Sequence, residues 1–192
     1  IYPLILFVMA ETIIQVVLPE LHVTWLCVTL LSVLYFIYCS EMWNQLDALT
    51  GLLNQNSYLK QTGGVRCKGG VLVVFDVDDF KQINDQYGHI QGDLCLAGIA
   101  ECIKKSYANF GYCYRIGGDE FCVLLKNGGN EGRCKQEFLQ RLQEKRGEIA
   151  FLPTVSYGSA PFSGEDIVKV KDRADQDMYQ YKKERKNRKR LS

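Results

Sequence analysis

Residues 115–121 read Arg-Ile-Gly-Gly-Asp-Glu-Phe, and the rest of the chain is interpreted outward from this stretch. The segments on either side, 112–116 and 121–125, are rich in residues that favour β-strands, so the Gly-Gly pair predicts a tight hairpin turn. We expect these glycines to adopt positive φ angles and to let another backbone or a phosphate come close. Two carboxylates, Asp119 and Glu120, would then lie at the turn. On this stretch alone, a solvent-exposed acidic turn explains the pattern equally well.

A second stretch, residues 71–81, makes a functional site the better interpretation. Five apolar residues are followed by the acids Asp76, Asp78 and Asp79. A continuous apolar run that ends in acids is typical of a buried strand with its carboxylates at one edge of a sheet. If this strand lies beside the hairpin, Asp76 and Asp119 converge and require a cation. Oxygen ligands with room left for substrate phosphates suit Mg²⁺ or Mn²⁺.

These motifs resemble the GGDEF family, the diguanylate cyclases. Residues 117–121 are the signature that names the family, and residues 76–93 match its D-x-D-x-F-K-x-x-N-D-x-x-G-H-x-x-G-D pattern at every defined position. Further matches extend the resemblance to about residues 47–187. The resemblance implies an α+β fold, a ferredoxin-like palm akin to nucleotidyl cyclases, with a mainly antiparallel central sheet flanked by helices.

The resemblance also implies a role for each matched acid near the signature. Asp76 and Asp119 would be the metal carboxylates, with the Val77 carbonyl as a further ligand, for two Mg²⁺ or Mn²⁺ ions per active site. Asp119 and Glu120 would be catalytic, and Glu120 would help to deprotonate the attacking hydroxyl.

The implied substrate site lies on the segments that follow. Asn84 and Asp93 would read the guanine edge, and His89 would line the same pocket. Phosphates would be held by lysines and by backbone N–H groups. These phosphate positions are Asp79, Phe80, Lys81, Lys182 and Lys186. Lys186 replaces an arginine of the family, which keeps the charge but loses the bidentate geometry.

The reaction that the resemblance implies joins two GTP molecules into cyclic di-GMP and two pyrophosphates by two-metal phosphoryl transfer. Each protomer would bind one GTP, so a homodimer is expected to be needed for activity. A catalytically silent GTP-binding receptor or scaffold domain is the alternative. An adenine-containing product is disfavoured because adenine would leave the Asp93 acceptor unpaired. No nucleic-acid polymer is expected as a partner.

Residues 1–39 differ from the rest of the chain in charge. They carry only two acids, Glu11 and Glu20, and no Lys or Arg occurs before Lys60. The uncharged run 21–39 is long enough to cross a hydrocarbon core of about 30 Å. A buried helix pair of a soluble domain is the alternative.

We therefore expect residues 1–39 to be a membrane-spanning hairpin in contact with lipid, or the end of a larger membrane sensor. Residues 40–46 would be a linker helix, and residues 47–192 would be the catalytic domain. Basic residues occur only beyond the second span, which predicts a multi-pass protein of the inner or cell membrane with the catalytic domain in the cytoplasm.

The remaining patterns complete the predicted fold. Residues 151–157 alternate like a half-buried strand, and residues 163–166 read as a capping box that opens a final helix. Eight cysteines without a CxxC pair predict buried free thiols rather than disulfides or a zinc site. Before the final helix, the expected order is β-α-α-β-β-α-β.

Overall fold

The computed structural model describes residues 9, 10, 13, 16, 17, 24–43, 45–63, 69–126 and 128–191, without the side chains of residues 24–26, 41–43, 186 and 188–191. The chain divides into two units, Ile1–Asn44 and Gln45–Ser192. The first unit contains helix α1 (Thr24–Trp43). No helix within the described residues is both long enough and apolar enough to cross a membrane. Most of the predicted first span lies outside those residues, so the membrane hairpin stays a prediction.

The second unit is built on a four-stranded sheet in which all strand pairs are antiparallel. The strands are β1 (Gly70–Val77), β2 (Gly111–Arg115), β3 (Glu120–Leu125) and β4 (Val155–Phe162), and their spatial order is β2-β3-β1-β4. Strands β2 and β3 form the predicted hairpin around the signature. The outer edge of β2 is partly covered, because the Leu53 amide donates to the Cys113 carbonyl at 3.0 Å.

Within the described part of this unit, five α-helices accompany the sheet: α2 (Gln55–Thr62), α3 (Phe80–Tyr87), α4 (His89–Tyr107), α5 (Glu131–Glu148) and α6 (Ile167–Leu191). From β1 to β4 the order is the predicted β-α-α-β-β-α-β. This order, with its antiparallel sheet, confirms the predicted α+β palm-like fold.

The sheet separates two apolar cores. Alternate residues of β1, such as Val73 and Phe75, pack with α4 and α5, whereas Leu72 and Val74 pack with α2 and α6. Asp76 continues the second alternation, so its side chain lies on the face covered by α6. The cysteines of the described residues are free thiols, and most of them are buried.

Two predicted boundaries were wrong. Strand β4 begins at Val155, after Pro153, because proline has no N–H group with which to join the ladder. Residues 151–154 therefore precede the strand: a turn in which the Leu152 amide donates to the Ile149 carbonyl is followed by irregular chain up to Thr154. The capping box is also incomplete: Asp166 alone accepts a first-turn amide, that of Val168 at 3.0 Å.

Candidate functional site

The acidic ends of the two motifs lie side by side. In the antiparallel register of β1 and β3, Asp76 is the direct partner of Glu120. One residue further, the Val77 amide donates to the Asp119 carbonyl at 3.2 Å. Directly paired residues share one face of a sheet, so Asp76 and Glu120 both lie on the α6 face. The sheet thus brings the backbones of three of the predicted acids to the same end of β1 and β3.

The turn between β2 and β3 differs from the predicted one in its backbone. Neither Gly117 nor Gly118 has a positive φ angle. Their small size matters instead, because a Cβ atom on Gly117 would lie 3.2 Å from Glu120 Cβ, while the space around Gly118 is open. This leaves one side of the turn free for a ligand.

A lysine from α6 contacts Asp76 and the neighbouring Asp78. The Lys182 ammonium donates to Asp76 Oδ2 and lies 3.3 Å from Asp78 Oδ1. Burial disfavours the charged form of Lys182, but its contacts with Asp76 and Asp78 outweigh burial and raise its pKa. Helix α6 approaches closely because β4 has Gly158 beneath it, where a Cβ atom would lie 2.2 Å from the Ala174 carbonyl oxygen.

Asp78, which has no role in the sequence-based prediction, is the buried centre of this cluster. Its carboxylate is only 4% exposed and accepts hydrogen bonds from Ser156 Oγ at 2.7 Å and from Thr154 Oγ1 at 2.9 Å. Arg185 Nη2 lies 2.5 Å from Asp78 Oδ2. Burial alone would raise the pKa of Asp78, but the hydrogen bonds from Ser156, Thr154 and Arg185 lower it. Its fixed place in the motif at residues 76–93 was the available signal.

The chain between β1 and α3 presents unpaired backbone donors. Asp79 adopts a left-handed conformation with φ 56°, and no side chain caps α3 at this residue. The Phe80 and Lys81 amides belong to the first turn of the helix, whose N–H groups have no intrahelical acceptor. Such a turn attracts phosphate through its free N–H groups and the helix dipole. The predicted phosphate position therefore has suitable chemistry and adjoins Asp76.

Helices α3 and α4 carry the predicted base-reading residues. They pack closely at Gly92, where a Cβ atom would lie 1.9 Å from Asn84 Oδ1. The Asn84 amide thus lies against the backbone beside Asp93. His89 and Asp93 are exposed on α4, and Asn84 is half-buried. The structure brings these three residues to one open end of the site.

A second ion pair, also missed from the sequence, supports the signature turn. Arg115 Nη1 lies 3.0 Å from Asp47 Oδ1, and Arg115 Nη2 donates to the Gly118 carbonyl at 2.7 Å. Asp47 also accepts from the Thr50 amide and hydroxyl. Burial opposes ionisation, but Thr50 and then Arg115 lower the pKa of Asp47. The turn is thereby joined to the first residues of the second unit.

The acids fit a divalent cation that shares its ligands with a substrate. Within the described residues, no group of three His, Cys, Asp or Glu side chains forms a cation cage of its own. Mg²⁺ is usually held by one or two carboxylates together with substrate phosphates and water. Asp76 already binds a cation, the Lys182 ammonium, with its carboxylate 20% exposed. Its oxygens are therefore accessible and placed for a positive ligand.

Two predicted phosphate lysines are less well defined. Lys81 is exposed on the first turn of α3 and makes no hydrogen bond or ion pair with the described residues. Lys186 belongs to α6, but its side chain lies outside the described residues. The roles of both lysines stay predictions.

Together, the antiparallel sheet, the helices on both faces and the acidic end of β1 define a palm-like α+β domain with a site for an anionic ligand. The family described as "Diguanylate cyclase, GGDEF domain" matches residues 44–188. The chain belongs to this family, which confirms the family predicted from the sequence.

Curated relatives agree with this assignment. The chain is 30% identical over 151 residues to the probable diguanylate cyclase DgcJ of Escherichia coli (strain K12). The matched region covers 74% of this chain and 30% of DgcJ. The chain is also 32% identical over 154 residues to diguanylate cyclase DgcS of Shewanella oneidensis. That matched region covers 76% of this chain and 52% of DgcS. The chain thus spans about a third to a half of the length of these relatives.

Solved structures agree with the fold. The GGDEF domain of DgcB from Caulobacter crescentus, in complex with c-di-GMP, aligns with a TM-score of 0.57 and 27% identity, covering 72% of this chain and 90% of that domain. Diguanylate cyclase SiaD from Pseudomonas aeruginosa, in complex with its activator SiaC, aligns with a TM-score of 0.63 at 23% identity. It covers 93% of this chain and 77% of SiaD, and it supports the fold alone.

Proposed function

We propose that this chain is a diguanylate cyclase that condenses two GTP molecules into cyclic di-GMP and two pyrophosphates. The observation that carries the proposal is the register of β1 and β3, which pairs Asp76 with Glu120 and joins Val77 to Asp119. Around this point lie a helix N-terminus suited to phosphate and a lysine suited to a second phosphate. The names of the relatives support the same reaction.

In the proposed mechanism, the acids would hold the divalent cations and accept a proton. Asp76, Asp119 and the Val77 carbonyl would hold two Mg²⁺ or Mn²⁺ ions, which supply charge neutralisation at the phosphates when bound. Glu120 would accept the proton of the 3′-hydroxyl as that oxygen attacks the α-phosphorus of the other GTP. Pyrophosphate leaves with the electrons of the broken P–O bond. The same step with the two GTP molecules exchanged closes the ring.

The opposite end of the site would select guanine. Asp93 can accept hydrogen bonds from the ring N–H and the exocyclic amine, a pair of donors that adenine does not offer on that edge. The amide of Asn84, held against Gly92, can complement the remaining edge of the base. His89 would line this pocket. Guanine recognition therefore depends on α3 and α4, and metal binding depends on the sheet.

The phosphates would lie between these two ends. Backbone N–H groups of Phe80 and Lys81, next to Asp79, would bind phosphate oxygens at the start of α3. The ammonium groups of Lys182, Lys81 and Lys186 would neutralise the triphosphate.

We also propose a homodimer, because one GTP per protomer requires two sites to face each other. Residues 1–39 would anchor the dimer in the inner or cell membrane and connect it to an input signal, with the catalytic domain in the cytoplasm. Lack of charge in residues 21–39 supports this proposal. Constant specific activity of the full chain on dilution to a monomer would contradict the requirement for a dimer.

The direct test is incubation of the 192-residue chain with GTP and Mg²⁺, followed by mass spectrometry of the products. We expect cyclic di-GMP from the parent, and none from Asp119→Ala or after chelation of the metal. GTP binding without any product would instead identify a silent GTP receptor. Absence of both binding and product would leave a scaffold domain.

A further inference from the structure

The predicted metal carboxylate already has a positive partner from the protein. Lys182, on α6, donates to Asp76 Oδ2 across 106 residues of sequence. Its side chain is 30% exposed and that of Asp76 is 20% exposed, so both groups are within reach of a ligand. The lysine therefore lies on the group that a divalent cation would need.

A divalent cation and this ammonium group are poorly compatible on one carboxylate. A metal ion bound to Asp76 would lie about 2 Å from an oxygen, within a few ångströms of Lys182 Nζ. Two cations at that distance repel strongly in a site that is only partly solvated. Binding of the free metal would therefore require Lys182 to give up its ion pair with Asp76 and to keep only its longer, 3.3 Å contact with Asp78.

Asp78 keeps the lysine close if it leaves. Its Oδ1 atom lies 3.3 Å from Lys182 Nζ, and the carboxylate is fixed by Ser156 and Thr154. Arg185 takes the other oxygen of Asp78 from one turn further along α6. These contacts hold the Asp78 carboxylate in place, so the Lys182 ammonium can move away from Asp76 while it stays close to Asp78. It then remains next to Asp79 and the start of α3, where phosphate is proposed to bind.

We propose that Lys182 is an exchangeable counter-ion: it blocks Asp76 against free divalent metal and moves to the substrate phosphates when metal and nucleotide bind together. This proposal rests on the proposed function, because a nucleoside triphosphate supplies the anion that receives the ammonium group. The pocket would thereby favour the metal–nucleotide complex over the free metal. Asp78 and Arg185 act as positioning residues that keep Lys182 in the site.

The energetic consequence is a coupling between metal and nucleotide. The free metal binds with the penalty of displacing Lys182, whereas the metal–nucleotide complex compensates with a new ion pair. Each ligand therefore increases the affinity of the other, as linkage requires. Removal of the lysine charge should tighten the binding of free metal and weaken this coupling.

The experiment measures Mn²⁺ binding to the full chain by the loss of the free-ion EPR signal, with and without 3′-deoxy-GTP. This analogue lacks the attacking hydroxyl and cannot be turned over. We expect Lys182→Met to bind Mn²⁺ alone at least about tenfold more tightly than the parent. Lys182→Arg keeps the charge and should resemble the parent. Lys81→Met, at a proposed phosphate lysine that does not contact Asp76, should leave the affinity for Mn²⁺ alone unchanged.

Equal or weaker binding of Mn²⁺ alone by folded Lys182→Met would overturn the proposal. Circular dichroism verifies folding, and Lys182→Gln repeats the test if the methionine variant unfolds.

The same titration distinguishes failure of the counter-ion proposal from failure of the proposed function. If Lys182→Met tightens Mn²⁺ but the parent binds no 3′-deoxy-GTP, the blocking role stands and the cyclase assignment fails. If the parent binds the analogue and Lys182→Met leaves Mn²⁺ affinity unchanged, the cyclase stands and the counter-ion role fails.

Discussion

The two ends of the candidate site are built differently. At the metal end, Asp76 and Asp78 are engaged by Lys182, and Asp78 also by Arg185. At the nucleobase end, the side chains of Asn84, His89 and Asp93 make no hydrogen bond with another described group. Those of His89 and Asp93 are exposed. At the metal end the protein supplies cations to Asp76 and Asp78, whereas the nucleobase end is left to water.

This difference follows from the cost of burying charge. A buried carboxylate such as Asp78 needs hydrogen bonds and a counter-ion in every state of the protein, whether or not a ligand is bound. An exposed group such as Asp93 can remain hydrated until a base replaces the water. The metal end should therefore contribute to stability as well as to function, whereas the nucleobase end should contribute to function alone.

The largest expected effect is at the metal end. Asp76→Asn removes the charge that would hold the cation, so we expect cyclic di-GMP formation to fall by at least about 10³-fold. Product formation by the full chain is measured at saturating GTP and Mg²⁺. Glu165→Gln, in the exposed ion pair with Arg173, is the matched control and should keep full activity. Retention of more than a tenth of the activity by Asp76→Asn would contradict the metal assignment.

Asp78→Asn tests the structural part of this end. This substitution keeps one acceptor oxygen but removes the negative charge that Arg185 and Lys182 share. We expect the free energy of unfolding to decrease by about 3 kcal/mol. Urea unfolding of the full chain measures this change, and Glu165→Gln should stay within about 0.5 kcal/mol of the parent. A loss below about 1 kcal/mol would place Asp78 with the loosely held groups of the nucleobase end.

Asp93→Asn is the counterpart at the nucleobase end. It replaces an acceptor for two guanine donors by an amide that matches only one of them. We expect kcat/KM for GTP to fall about 10- to 100-fold, with the free energy of unfolding within about 0.5 kcal/mol of the parent. Steady-state kinetics and urea unfolding provide the two readouts. If stability falls together with the kinetics, the two ends of the site are not separable in this way.

The grouping of residues at the nucleobase end could be predicted from the sequence more completely than the contacts at the metal end. Asn84, His89 and Asp93 lie within one short motif, so their grouping needs only two adjacent helices. Arg185 and Asp78 are 107 residues apart, and Arg115 and Asp47 are 68 apart. Such pairs depend on the register of elements across the sheet, which local patterns do not contain. The predicted start of the strand before Pro153 and the positive φ angles predicted for Gly117 and Gly118 were wrong for the same reason. Both depend on how the backbone fits into the sheet, which local sequence patterns do not contain.

The acid sensitivity of the protein should also depend on the metal end. The pKa of Asp78 is lowered in the folded protein, mainly by hydrogen bonds that outweigh burial, so the folded state binds fewer protons than the unfolded state. The stabilisation is complete above the unfolded pKa of about 3.9 and is lost as the pH falls through the lower folded value. Urea unfolding at pH 6 and pH 3 should therefore show a smaller acid-induced loss for Asp78→Asn than for the parent. Equal losses in both proteins would contradict the contribution of Asp78.

The smallest expected effect comes from Gly92 on α4, where a substitution should change the position of the Asn84 side chain without lowering the stability of the protein. Gly92→Ala would place a Cβ atom 1.9 Å from Asn84 Oδ1, 3.0 Å from Asn84 Cγ and 3.3 Å from Phe80 Cζ. All three are side-chain atoms, so we expect the Asn84 side chain to rotate away. Alanine also favours a helix by up to about 1 kcal/mol, so stability should be kept or slightly increased. Displacement of Asn84 should raise KM for GTP about fivefold and leave kcat nearly unchanged. Gly98→Ala is the control in the same helix, because its Cβ atom would meet Ile149 Cδ1 at 3.3 Å and the Lys145 side chain from 3.5 Å, away from Asn84. An unchanged KM in Gly92→Ala would mean that the position of the Asn84 amide is not set by its contact with α4.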